Sequence, residues 1–371
     1  MDRQSNRRTP LHGLHRDLGA KMVAFAGYDM PLRYPLGILG EHRHTRDAAG
    51  LFDVSHMGQA TVRGDDPLAA LEALIPADLR SLPLGGMRYA TLTGERGGIL
   101  DDLIVTRIEE GAGLVVNAAR KEADLAHLEA GLGPAYEIEM DDSRALLALQ
   151  GPAAAAVLEA LVPGVAALSF MSSAPFPIAA GAGRVSRCGY TGEDGFEISL
   201  PSEDAEAFAR RLLERPEVAP AGLGARDSLR LEAGLCLHGH DIDDTTTPVE
   251  AGLRWTIAER RRREGGFPGA AVILAQLAEG PPRRRVGIRP DGPAPAREGT
   301  AIEDAGGARI GRITSGGFGP TVGGPVAMGY VAAASARPGT ELGLVVRGRS
   351  RPARVAALPF VAHRYVRERG T

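Results

Sequence analysis

Tyr89-Ala90-Thr91-Leu92-Thr93-Gly94-Glu95-Arg96-Gly97-Gly98-Ile99-Leu100-Asp101-Asp102-Leu103-Ile104-Val105-Thr106 decides the fold. Tyr89–Leu92 and Leu100–Thr106 are rich in strand formers and flank a glycine turn at Gly94–Gly98, the pattern of a β-hairpin. Leu114–Asn117 reads as a further strand. Side chains alternate across a strand, so adjacent Asp101 and Asp102 should point to opposite faces, and only one should enter a pocket. On these residues alone, a turn carboxylate bonded to nearby N–H groups is an equally good reading.

Outward from this hairpin, strands and helices alternate with short links. Gly58–Gly64 reads as a strand. Asp65 and Asp66 before Pro67 form a cap and first-turn proline for a helix through Ile75. Upstream, a helix over Leu36–Ala49 should end at Gly50. Downstream we expect a helix at Ala119–Leu128, a strand at Arg144–Gln150 and a helix from Pro152 through Leu161. A hairpin should follow at Arg184–Ser199, turning around Gly192–Gly195. Ser202 should cap a helix that ends near Pro216, and another helix should cover Ala225–Ala233. Glu259–Gly266, with four consecutive arginines, reads as a solvated junction, followed by a short helix at Ala270–Leu277. The remainder to Phe360 is β-rich. The pattern is α+β rather than a doubly wound parallel sheet.

The chain has 371 residues, too long for one ordinary core, so two or three domains are expected. Its net charge of −3 gives no overall attraction to a polyanion, so nucleic acid is not an expected partner. Apolar stretches are broken by Pro, Gly and Ser, so no membrane span is expected either. Cys188 and Cys236 are too few for a disulfide scaffold and are not spaced as a C-x-x-C pair. Lys21 and Lys121 are the only lysines, and neither sits in a phosphate-binding glycine loop. His12/His15, His42/His44 and His238/His240 lack metal-site spacing, and no metal is expected.

Three further clusters carry chemistry. In Arg187–Glu197, Tyr190 and Glu197 flank a glycine-rich reversal and can face one another. A tyrosine beside a carboxylate suits a flat, nitrogen-rich heterocycle, although an ordinary hairpin would use the same residues. In Gly222–Glu232, Arg226 and Arg230 share a helical face. One could pair with Asp227 or Glu232 while the other meets an anionic ligand, or both could serve an ion network. In Gly50–Gly58, His56 and Met57 line either a core or a cavity.

These phrases occur in order along the chain together with Thr9-Pro10-Leu11, Gly19-Ala20-Lys21-Met22, Phe25-Ala26-Gly27-Tyr28, Thr314-Ser315-Gly316 and Leu358-Pro359-Phe360-Val361. The series resembles the aminomethyltransferase (T-protein) family of the glycine cleavage system. That resemblance implies a three-domain cloverleaf around a central channel. Its domains would be a discontinuous α+β first domain of 1–50 plus 144–255, a nested α+β domain of 51–143, and a linker with C-terminal β-barrel of 256–371. It implies transfer of a methylene carbon from an aminomethyl group on lipoylated H-protein to tetrahydrofolate, with release of ammonia. Other glycine cleavage components would be indirect partners.

By the same resemblance the catalytic residue is Asp102. Folate contacts fall at Met57, Tyr89, Asn117, Tyr190, Glu197, Arg226 and Tyr365. The chain departs from the family pattern at Tyr28 (usually Trp), Cys188 (usually Thr) and Ala270 (usually basic). A folate-dependent demethylase or methyltransferase of the same fold is the nearest alternative. A non-enzymatic folate-binding or assembly protein is more distant. The lack of a transit peptide gives a cytoplasmic expectation.

Overall fold

The hairpin around Gly94–Gly98 forms as read. In the computed structural model, which describes residues 6–178 and 181–367, Met87–Thr93 pairs antiparallel with Ile99–Ile108. These strands belong to a five-stranded sheet completed by Gly111–Val116, Gly58–Arg63 and Glu137–Met140. The turn between them packs against a distant loop. A Cβ at Gly98 would lie 1.8 Å from the Asp244 carbonyl oxygen, so only glycine permits this approach.

A second, six-stranded sheet is assembled from distant segments. Ala49–Asp53 pairs with Arg144–Gln150, which pairs in turn with Gly195–Pro201. Gly181–Arg187, Ser172–Ile178 and Val218–Pro220 complete it. Its core is closed by Phe196, Ile198, Leu147 and Leu149 against Phe208 and Leu212 of the helix Ser202–Leu213. Strands from Arg283 to Ala356 form a closed six-stranded barrel with its own core of Ile288, Ile302, Ile313 and Leu344. Closure removes the exposed strand edges that short, Gly- and Pro-punctuated segments would otherwise leave. No helix among the described residues is long and apolar enough to cross a membrane.

Several local expectations change. The helix Gly37–Asp47 stops before Gly50, which lies inside the strand Ala49–Asp53. Glycine is needed there because a Cβ would meet Thr45 Oγ1 at 2.3 Å. Asp66 does cap its helix, accepting from the Ala69 N–H, but the helix covers only Pro67–Leu71. Ser202 is the first residue of its helix and makes no side-chain cap; Pro201 holds the cap position.

The arginine run is the largest correction. Glu259–Glu264 is a helix, and it is anchored rather than solvated. Arg260 Nη2 reaches Glu72 at 2.6 Å and Asp78 at 2.8 Å, while Arg261, 5% exposed, donates to the Glu72 carbonyl at 2.6 Å. Glu72 also accepts N–H bonds from Leu79 and Arg80. The segment entering the barrel domain is thereby pinned to the five-stranded unit. We expect Arg260→Ala to lower unfolding stability by about 1–3 kcal/mol in denaturant titration, since it removes charged hydrogen bonds from a buried carboxylate. An unchanged transition midpoint would contradict the anchoring role.

Candidate active site

Strand alternation places the two central aspartates as expected. Asp101 is fully buried, while Asp102 faces the opposite side and is half-buried. Asn117, just past the strand Gly111–Val116, grips both. Its side-chain amide donates to Asp101 Oδ1 at 2.8 Å and to Asp102 Oδ1 at 2.9 Å, and it lies 3.0 Å from the Asp102 carbonyl. Burial and the neighbouring Asp101 charge push the Asp102 carboxyl up to about 7, against the opposing hydrogen bonds from Tyr89 and Asn117. A carboxyl so placed exchanges a proton near neutral pH.

Tyr89 sits on the adjacent strand opposite Ile104 and bears on the ionisation of Asp102, lowering its pKa against burial. Its ring stacks on Trp255 at 5.5 Å, and it packs beside Ile99 and Cys236. Tyr190 arrives from the six-stranded unit and donates its hydroxyl to the Cys236 carbonyl. The loop holding Cys236 therefore joins the two tyrosines. Burial raises the pKa of both phenols, which remain neutral donors.

Glu197 lies on Gly195–Pro201, paired with Ser186 across the hairpin. Tyr190 and Glu197 meet through a third residue. The Arg226 guanidinium lies 4.8 Å from the centre of the Tyr190 ring, and its charge opposes the burial that raises the Glu197 carboxyl. Buried Arg226 Nη1 has no hydrogen-bond partner among the described residues. The helix Leu223–Glu232 thus separates its two arginines. Arg230 is consumed by Asp227, Asp241 and Ser315, whereas Arg226 keeps a free donor. Glu232 pairs with His42 and Arg46 rather than with either of them.

Met57 packs against the apolar cluster that includes Ala225 and Leu229 of that helix. Tyr365 stacks on Phe170 with centroids 4.0 Å apart, and the Cys188 thiol is among the groups that bear on its ionisation. Cys188 itself is buried beside Glu197, which drives its thiol pKa upward along with burial. Among the described residues, no group of three His, Cys, Asp or Glu side chains is arranged to hold a metal.

Sequence reasoning missed Trp255, Phe170 and the Cys236 carbonyl. Trp255 had one available signal, being the only tryptophan in the sequence; in the fold it stacks on Tyr89 with 61% of it exposed.

A family model described as the GCVT N-terminal domain matches residues 11–261, and the glycine cleavage T-protein C-terminal barrel domain matches residues 283–362. The chain belongs to the glycine cleavage T-protein family. Within that aminomethyltransferase family it is 48% identical to the mitochondrial aminomethyltransferase of Gallus gallus, over 97% of this chain and 93% of the relative. It is 43% identical to the mitochondrial aminomethyltransferase of Dictyostelium discoideum over the same shares. The crystal structure of the glycine cleavage system aminomethyltransferase T from Bartonella henselae superimposes with a TM-score of 0.93. It is 48% identical and covers 98% of this chain and all of that one. The α+β, three-domain T-protein architecture with a C-terminal closed barrel is therefore that of this enzyme.

One expectation is overturned by these relatives. The chicken, slime-mould, fission-yeast and potato T-proteins are all named as mitochondrial, so the cytoplasmic expectation does not stand. A transit peptide is removed on import, and its lack in a sequence carries no information about compartment.

Proposed function

We propose that this T-protein moves a methylene carbon from the aminomethyl-dihydrolipoyl arm of H-protein to tetrahydrofolate, with release of ammonia, and that Asp102 is its catalytic residue. The strongest support is the convergence on one region of an ionisable carboxyl near neutrality, at Asp102, and an Arg226 guanidinium that lies on the Tyr190 ring, keeps a spare donor and bears electrostatically on Glu197.

The residues present suit tetrahydrofolate. Glu197 provides a half-buried acceptor for paired N–H groups, Arg226 a free donor, and Tyr89, Tyr190 and Met57 flat or pliable apolar surface. Asn117, the further folate contact of this proposal, also holds Asp102 by its amide, and Tyr365 with Phe170 forms an aromatic wall. Tetrahydrofolate supplies the two amine nitrogens that bond the transferred carbon as its bonds to sulfur and to the departing nitrogen break.

The protein's work is positioning and proton handling. Holding the partners in reacting geometry removes much of the cost of their encounter. The Asp102 carboxylate, anchored by Asn117 at Oδ1, accepts a proton from an acceptor amine and stabilises positive charge developing at nitrogen; the carboxyl so formed then acts as the acid that gives the proton to the leaving amine. The domain division of 1–50 with 144–255, 51–143 and 256–371 belongs to the same proposal. The pairing of Ala49–Asp53 with Arg144–Gln150 supports a discontinuous first domain.

Purified protein incubated with tetrahydrofolate and aminomethylated H-protein should form methylenetetrahydrofolate; absence of product would refute the proposal. Raising the Asp102 pKa means its base form disappears as pH falls. We therefore expect kcat to fall tenfold per unit below an acid limb at about 7 in wild type. A limb at the ordinary carboxylate position, near pH 4, would show that Asp102 is not perturbed as described.

A further inference from the structure

The strand that presents Asp102 carries Asp101 on its opposite face, fully buried. Among the described residues, the hydrogen bonds to the Asp101 carboxylate come from Asn117 alone. Its side-chain Nδ2 lies 2.8 Å from Oδ1, and its backbone N–H donates to Oδ2 at 3.4 Å. A carboxylate has about four acceptor sites, so a buried one partnered by a single residue draws strongly on any donor near it. His238 is the only basic side chain among the described residues within ion-pair distance. Its Nδ1 stands 3.7 Å from Asp101 Oδ1.

The loop that carries His238 is fixed to the same strand. On either side of the histidine the backbone is tied down. The Leu237 N–H donates to Asp241 Oδ2 at 3.0 Å, an oxygen that also accepts from Arg230 at 2.7 Å, and the Gly239 N–H donates to the Ile242 carbonyl at 2.9 Å. Farther along the loop, the Asp243 and Thr246 carbonyls both accept the Ile99 N–H at 3.0 Å, close to Asp101 on its strand. The His238 side chain is only 14% exposed. Its other nitrogen, Nε2, is buried with no hydrogen-bond partner among the described residues, which leaves Asp101 as the acceptor within reach of the ring.

We propose that His238 is a positioning residue for Asp102: its Nδ1–H shares the Asp101 carboxylate with Asn117, and so leaves the Asn117 amide able to hold Asp102. This rests on the reading of Asp102 as the proton carrier. The chain of contacts is short. His238 and Asn117 Nδ2 approach the same oxygen, Asp101 Oδ1, and that Nδ2 lies 2.9 Å from Asp102 Oδ1. Without the imidazole, Asn117 is the sole counterpart of a buried charge. Its amide is then drawn toward Asp101, and Asp102 loses the donor that fixes its carboxylate. A catalytic carboxylate released from its reacting geometry costs turnover, whereas folate affinity, which Glu197 and Arg226 supply in this reading, is spared.

Two amides separate the ring nitrogens. An asparagine side chain carries its N–H directly on the γ-carbon, where Nδ1 stands, whereas glutamine carries it one bond farther out, near the place of Nε2. In the transfer assay with the full-length protein, His238→Leu should lower kcat by about tenfold or more with KM for tetrahydrofolate within about twofold. His238→Asn should recover kcat to within about threefold of wild type, and His238→Gln should stay near the leucine variant. Should the leucine variant not fold, the asparagine–glutamine comparison stands without it. Apart from turnover, nitrogen NMR of histidine-labelled protein at about pH 8 should show a protonated Nδ1 in the signal that His238→Asn removes. Wild-type kcat in His238→Leu, equal recovery by glutamine and asparagine, or an unprotonated Nδ1 would overturn the proposal. Full turnover in Asp102→Asn would instead remove the reading of Asp102, whereas the nitrogen signal reports on His238 and Asp101 by itself.

Discussion

Asp102→Asn is expected to reduce turnover by about a hundredfold to ten-thousandfold while leaving tetrahydrofolate affinity within about threefold of wild type. The substitution keeps the size of the side chain and a partner for Asn117 but removes a group whose pKa, about 7, suits proton exchange at neutral pH. The loss should appear in kcat and kcat/KM together, as for an interaction made chiefly in the transition state. Isothermal titration beside the transfer assay separates the two effects. Wild-type turnover would exclude Asp102 from the mechanism. Weakened binding with unchanged kcat would make it a folate contact only.

Glu197→Gln is expected to have the opposite signature. Tetrahydrofolate binding should weaken by about tenfold to a hundredfold, as expected for loss of a charge-assisted hydrogen bond, with kcat at saturation reduced far less. Glu197 supplies the counter-charge to Arg226, which also packs on Tyr190. Glu197→Ala should weaken binding further and also destabilise the fold, because it removes the charge that offsets the desolvation of the Arg226 guanidinium. The glutamine variant, which keeps the volume, therefore gives the cleaner binding measurement. Unchanged affinity in Glu197→Gln would remove this carboxylate from the pterin site.

Much of this architecture is legible locally. Arg144–Gln150 is a strand with the bounds its sequence suggests, and the Tyr89–Thr106 hairpin follows from strand formers around glycines. The opposite facing of Asp101 and Asp102 follows from the two-residue period of a strand. What escaped detection depends on distant partners. Nothing near Arg260 announces that Glu72 and Asp78 will receive it, so a charge run reads as solvent-facing until the fold brings those acids together. Gly50 looks like a helix stop, yet it is set by the closeness of Thr45 to a strand.

The candidate site shows the same division. Tyr190 and Glu197 are close in sequence, but Arg226, from a helix farther along the chain, joins them. The sharing of Arg226 and Arg230 on one helical face was readable. Which one keeps a free donor was decided by Asp241 and Ser315, and Ser315 belongs to the barrel. The Tyr89–Trp255 stack likewise exists only after folding.

The most direct measurement is a crystal structure of this protein with tetrahydrofolate bound. The pterin N–H edge should rest on the Glu197 carboxylate, with a reacting amine nitrogen about 3 Å from an Asp102 carboxylate oxygen. A ligand held elsewhere, or Glu197 and Asp102 opening onto separate cavities, would contradict the account.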